Sequence, residues 1–157
     1  MIIQPAQASE IRSLALRDAS ASPSRDDDAA IAPPDVLAML ADLAASIEPH
    51  FAPAAWWMFD DAGESVGLCS ITRQPSQGEV DIGYGIAPKF HGRGIATRAV
   101  AEIVRWARSD PRVVRLTAQT SIHNVASQRV LQRNGFAVVG TKTDAEDGEL
   151  SCWALTV

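Results

Sequence analysis

The eight residues FHGRGIAT, Phe90 to Thr97, place Gly92 and Gly94 on either side of Arg93. A strand-like segment precedes them and a helix-like one follows. The first turn of a helix carries unpaired N–H groups and a partial positive charge, so it attracts anions. Glycine permits a close backbone approach and a positive φ. Arg93 adds a full cation, and His91 and the Thr97 hydroxyl add donors. The stretch from His91 to Thr97 therefore predicts a phosphate cradle. A second constellation lies just upstream. Strand side chains alternate, so Glu79, Asp81, Gly83 and Gly85 share one face, and Ile82, Tyr84 and Ile86 share the other. The first face carries two carboxylates and then two residues without side chains, which is a base beside room for a ligand. The second face reads as core.

Each feature has a plainer reading. A glycine-rich turn can simply start a helix, and a carboxylate near a turn can simply be solvated. The common nucleotide loops fit poorly. A P-loop needs Gly-Lys followed by Ser or Thr, and no lysine follows the glycine here. A dinucleotide fingerprint would have Thr97 as its third glycine and would sit in a parallel β-α-β unit. A nucleotide-binding protein is therefore a weak reading of this loop.

The elements that must position these residues follow from periodicity and turn chemistry. MIIQPA is a short first strand. A helix follows from a Ser9 cap, with Ile11, Leu14 and Ala15 on one face. SASPSRDDDAAIAPP reads as a mobile loop. Asp35 is expected to cap a second helix with the stripe Val36, Leu40, Leu43 and Ile47, ended by Pro49. AWWMF, SVGLCSITR and GEVDIGYGIA are strands joined by the short turns DDAGE and QPSQG, which implies antiparallel neighbours. A helix from Gly94 to about Arg108 turns Ile95, Ala96, Ala99, Val100, Ile103, Val104 and Ala107 inward. VVRLTAQT is a strand. Asn124 caps the helix NVASQRVLQRN, which Gly135 closes in a left-handed conformation with Phe136 just beyond. FAVVGTKT and LSCWALTV flank the turn DAEDG. The order β-α-α-β-β-β-α-β-α-β-β describes one domain, residues 1–157, of the α/β (α+β) class with helices on both faces of a mixed sheet.

Composition narrows the function classes. The chain has 157 residues, 46% hydrophobic and 21% charged, with net charge −5. That fits a soluble globular domain. Lys89 and Lys142 are the only lysines and no basic cluster is visible, which argues against a nucleic-acid partner. No apolar run approaches a membrane span, and MIIQPAQASEIRS lacks the pattern of a signal peptide, so a cytoplasmic location is expected. Cys69 and Cys152 lie singly in apolar segments. No metal site or disulfide is expected, and both read as buried small hydrophobes.

DIGYGIAPKFHGRGIATRAV, followed by SIHNVASQRVLQRNGF, resembles the GNAT N-acetyltransferase superfamily, in the branch of the ribosomal-protein alanine acetyltransferases. That family's cofactor loop is Gln or Arg, two variable residues, Gly, one variable residue, then Gly or Ala. His91, Gly94 and Ala96 fall on its marked positions, with His91 in place of Gln or Arg. Asn124, Ser127, Gly135 and Phe136 match its second motif. The resemblance is clear from Asp81 to Phe136. It implies a mostly antiparallel sheet of about seven strands and acetyl-coenzyme A as donor. The pyrophosphate would lie on the amides of Gly92, Arg93, Gly94, Ile95, Ala96 and Thr97. The pantetheine arm would pair with the backbone of Ile86 and Ala87 where two strands splay.

The same resemblance assigns chemistry. An alkylammonium with pKa near 10 is only about one part in a thousand free base at neutral pH, so a base is needed. Asp81 stands where this branch often carries an acid; Glu79 is second. Many relatives place a tyrosine at the position of Leu131 to meet the departing thiolate, and Ser127 is the substitute. Asn124 would hydrogen-bond the pantetheine arm while capping its helix; capping alone is the plainer reading of both. Trp56 or Trp57 could line the acceptor cleft. The loop between the first two helices and the last hairpin turn border the acceptor site in this family. Both are acidic here, through Asp26, Asp27 and Asp28, then Asp144, Glu146 and Asp147. A cationic amine is the expected acceptor, either a peptide N-terminus or a polyamine-like molecule. An exposed final strand could pair across a two-fold axis in a homodimer. The alternative to an enzyme is a coenzyme A-binding regulatory module with weak turnover.

Overall fold

Apolar alternation and turn-rich joints set out a sheet flanked by helices. The computed structural model describes residues 2–20 and 27–157, and the side chain of Asp27 is outside that description. Asp26 and most of the acidic loop thus lie outside the described residues. The strands are β1 (Ile3–Pro5), β2 (Ala55–Phe59), β3 (Ser65–Ile71), β4 (Glu79–Ile86), β5 (Arg115–Ser121), β6 (Ala137–Asp144) and β7 (Gly148–Thr156). The helices are α1 (Ala8–Ala19), α2 (Pro34–Ile47), α3 (Ile95–Ser109) and α4 (Val125–Arg133). The sheet order is β1-β2-β3-β4-β5-β7-β6, and only β4 and β5 pair in parallel.

Register fixes the layers. Trp56, Cys69 and Tyr84 are partners across β2, β3 and β4, so they share a face. Trp56 meets Trp106 of α3 edge-on, with ring centroids 4.8 Å apart. Tyr84 reaches Ser127 of α4. Helices α3 and α4 therefore cover this face. Leu68 and Ser70 point the other way and are also buried. Their cover is the α1–α2 pair, which touches β3 through α2.

Three helix expectations are corrected. Gln7, not Ser9, is the N-cap of α1. The Gln7 N–H donates to the Glu10 carboxylate at 2.8 Å, and the Ala8 N–H to Glu48 Oε1, beyond the end of α2, at 2.7 Å. These carboxylates satisfy the first amides one turn earlier than Ser9 could. Pro33 is the N-cap of α2, and Pro34 occupies the first helical position, where its missing N–H costs nothing. Asp35 sits in the first turn, complementing the helix dipole instead of capping. The buried stripe of α2 is Leu37, Ala41, Ala44 and Ile47, with Val36, Leu40 and Leu43 half-buried beside it. Small alanines face the neighbouring packing, and the larger residues flank them.

The final strand is corrected too. β7 lies between β5 and β6, paired on both sides, so β6 is the exposed edge. Cys69 is buried, and burial pushes its thiol up to about 12. Cys152 is only half-buried. The close of α4 forms as expected. Gly135 has φ of +86°, its N–H bonds the Gln132 carbonyl at 3.1 Å, and the Phe136 N–H bonds the Leu131 carbonyl at 3.0 Å. Among the described residues, no helix is long and apolar enough to cross a membrane.

Candidate functional site

The site begins where a ladder stops. Glu79–Ile82 of β4 pair with Arg115–Ala118 of β5, and beyond Ile82 and Ala118 the two strands no longer pair. β4 stays bonded to β3 as far as Ile86. The Thr72 N–H donates to the Asp81 carbonyl and the Ala87 N–H to the Val66 carbonyl, both at 2.9 Å, so these residues turn their backbone groups toward β3. By alternation, Tyr84 and Ile86 turn theirs into the gap. Of the two residues expected to meet a pantetheine arm, Ile86 faces the gap, whereas the Ala87 N–H is engaged by β3. The Ile86 carbonyl accepts from His91 Nε2 at 2.8 Å.

The chain then turns sharply into α3. Gly92 and Gly94 have φ of +77° and +73°, and a Cβ on either would meet nothing within 4 Å. Left-handed backbone and open space coincide at both, which is what a close-fitting anion requires. The Arg98 N–H makes the bond to Gly94 O at 3.1 Å, so the amides of Ile95, Ala96 and Thr97 precede the helical ladder. The Lys89 ammonium and Arg93 guanidinium lie 4.9 and 5.2 Å from the Phe90 ring centroid, putting two cations beside this turn. The Asn134 amide donates to the Thr97 carbonyl at 3.1 Å and ties the end of α4 to the first turn of α3.

Helix α4 opens on the opposite side of the gap. The Asn124 side-chain oxygen accepts from the Ser127 N–H at 3.1 Å, so its capping role is present. Ser127 Oγ lies 2.9 Å from the Tyr84 hydroxyl. Burial pushes the Tyr84 phenol up to about 12, opposed by its hydrogen bond with Ser127. Leu131 is fully buried in the core. The sequence reading placed Tyr84 with the core and missed this contact. The available signal was that Tyr84 is the only tyrosine, on a strand beside the cradle.

Asp81 sits at the fork. It is 5% exposed. Thr117 Oγ1 donates to Asp81 Oδ1 at 2.5 Å, Thr72 Oγ1 donates to Oδ2, and an Arg73 nitrogen lies 3.7 Å from Oδ1. A cleft of about 560 Å³ opens over it, with Gly83, Gln119, Ser121, Glu146 and Asp147 also on its wall. Glu79 is outside that lining and pairs with Arg73 at 3.2 Å. The Asp144 carboxylate accepts the amides of Glu146 at 2.8 Å and Asp147 at 3.0 Å, which shapes the hairpin turn. Those two bonds hold the Asp144 carboxyl below its usual range. Trp56 is in the core, and neither Trp57 nor Asp28 lines the cleft. The fork thus joins a left-handed glycine turn at the start of α3, a strand gap with backbone groups facing it, a hydroxyl pair and a carboxylate under an acidic opening.

Comparison with known proteins bears on the family and the fold. A family model described as an acetyltransferase (GNAT) domain matches residues 10–137. The chain is 30% identical over 77 residues to the uncharacterized N-acetyltransferase YjdG of Bacillus subtilis (strain 168), covering 48% of this chain and 46% of that one. It is 27% identical over 94 residues to the ribosomal-protein-serine acetyltransferase of Escherichia coli (strain K12), covering 59% and 52%. The chain therefore spans about half the length of the curated relatives it matches. The fold is shared with a ribosomal L7/L12 α-N-protein acetyltransferase solved in complex with coenzyme A. The TM-score is 0.72 at 19% identity, over 100% of this chain and 95% of that one.

Proposed function

The chain belongs to the GNAT acetyltransferase family, and from that premise we propose that it acetylates a primary amine, with acetyl-coenzyme A as donor. The observation that carries this reading is the end of the β4–β5 ladder at Ile82 and Ala118, beside the first-turn amides of α3 that precede its own ladder. The residues fit the donor. The open, left-handed Gly92 and Gly94, with Arg93 and the amides of Ile95, Ala96 and Thr97, would hold a diphosphate. Ile86 in the gap and Asn124 at its far side would hold the pantetheine arm. Bound there, acetyl-coenzyme A supplies the acetyl group as an activated thioester.

The chain's own residues supply the rest. Asp81, at the fork and on the cleft wall, takes the proton that the amine must lose. Glu79, tied to Arg73 and off the cleft wall, has the weaker claim. Ser127 offers an O–H to the sulfur that departs. Among the described residues, the cleft wall carries Asp81, Glu146 and Asp147 and no basic residue, which favours a cationic acceptor. The buried Leu131, where many relatives have tyrosine, favours the second reading of a coenzyme A-binding module with weak turnover.

Thiol release from acetyl-coenzyme A, measured over spermidine, peptides with free N-terminal serine or alanine, and uncharged amines, tests the proposal. Acceptor-dependent release that is fastest with the cationic amines supports it. Coenzyme A binding without acceptor-dependent release supports the module instead.

A further inference from the structure

We infer that Tyr84 is a positioning residue that acts through Ser127, orienting the serine hydroxyl as the hydrogen-bond donor for the coenzyme A sulfur. The inference rests on the reading of Ser127 given above and goes beyond it. Tyr84 comes from β4, on the same strand as Asp81, whereas Ser127 is in the first turn of α4. Their hydroxyls are 2.9 Å apart, and the Ser127 carbonyl lies 3.3 Å from the same phenol oxygen.

A lone serine hydroxyl in the first helical turn is free to rotate. The nearby acceptors of an N-terminal turn compete for its single proton. Either hydroxyl can donate across this contact; in the inferred arrangement the phenol donates to Ser127 Oγ, which leaves the serine proton for another acceptor. The Ser127 N–H is already held by Asn124, so the backbone at this point is pinned as well. In the same arrangement that proton goes to an acceptor in the gap between β4 and β5, onto which the Tyr84 backbone opens. Burial keeps the phenol protonated, so its proton is available to donate, across the working pH range. Donor chains of this kind polarise one another, so the serine O–H is a stronger donor with the phenol behind it. Tyr84 itself neither gains nor loses a proton.

The test needs no acceptor. Coenzyme A is bound at saturation, and its thiol is titrated through the ultraviolet absorbance of the thiolate. A hydrogen bond to the thiolate lowers the pKa of the thiol. Relative to wild type, Tyr84→Phe is expected to raise that pKa by about half a unit to one unit. Ser127→Ala is expected to do the same, and the double variant should add nothing further, since one residue acts through the other. Tyr84 is the only tyrosine, so biosynthetic fluorotyrosine alters this side chain alone. A more acidic phenol should lower the thiol pKa below that of wild type.

The failures are distinguishable. If Ser127→Ala leaves the thiol unchanged, the reading of Ser127 is wrong and the inference falls with it. If Ser127→Ala raises the pKa and both tyrosine changes leave it alone, Ser127 stands and the role of Tyr84 is refuted. An equal effect of Tyr84→Phe with and without the serine hydroxyl also overturns it, by showing that Tyr84 acts independently.

Discussion

The Thr117 hydroxyl donates to Asp81 Oδ1 at 2.5 Å, one residue pair before β4 and β5 part company at Ile82 and Ala118. The carboxylate is thus fixed at the fork by its neighbours on both sides, Thr72 just past the end of β3 and Thr117 from β5. Asp81→Asn keeps an acceptor and a donor for these hydroxyls and cannot take a proton. It should lower kcat about 10²- to 10⁴-fold with little change in melting temperature. Asp81→Ala leaves two hydroxyls unpaired and should cost about 1–3 kcal/mol of stability as well. Steady-state kinetics with the best amine of the panel, beside thermal denaturation, separates the two effects. Unchanged kcat in Asp81→Asn would remove Asp81 from the chemistry.

Gly94 is the left-handed residue at the start of α3, with open space where a side chain would project. Gly94→Ala should cost about 1–2 kcal/mol of stability from the backbone alone. The added methyl projects toward the proposed diphosphate, so calorimetric affinity for coenzyme A should fall more than tenfold. An affinity equal to wild type would place the diphosphate elsewhere.

Glu146 and Asp147 are presented to the cleft by the hairpin turn that Asp144 closes. Glu146→Gln combined with Asp147→Asn should raise KM for spermidine several-fold and flatten its dependence on ionic strength. The affinity for coenzyme A should not change. Equal KM and an equal salt slope in the two proteins would rule out these acids as the source of cation preference.

Alkaline stability follows from two buried acids. Cys69 and Tyr84 both titrate near 12 in the folded chain, against ordinary values of 9.0 and 10.0. A raised folded pKa means that the folded state holds its proton longer than the unfolded state does. The stabilisation is complete below the ordinary values and is lost as pH climbs toward 12. Denaturant midpoints should therefore fall from about pH 9 upward, and Tyr84→Phe should lessen the fall between 10 and 12. A flat midpoint across that window would contradict the burial of both groups.

Much of this was legible in the sequence because it is local. Short turns announced the β2–β3–β4 meander, and glycines at Gly94 and Gly135 marked helix ends by their conformation. What was misread depended on distant partners. The start of α1 is set by the local Gln7–Glu10 capping box, which the choice of Ser9 passed over, and by Glu48, some forty residues away, which no local pattern could show. The stripe of α2 was shifted because alanines and larger apolar residues both repeat at helical spacing, and only packing decides which are innermost. The insertion of β7 beside β5 was hidden, since either strand of a hairpin can take the inner place. Alternation rightly put Tyr84 on the core face, but its contact with Ser127 joins a strand to a helix and was not visible in local pattern.

The central claim is that the start of α3 and the adjoining gap receive coenzyme A, and amide resonances report it most directly. Titration of isotopically labelled protein with coenzyme A should move the amides of residues 92–97 most, together with Tyr84, Ile86 and Ser127. If those amides stay in place while coenzyme A binds, or if the shifts gather on another part of the fold, the cradle is not where the cofactor sits.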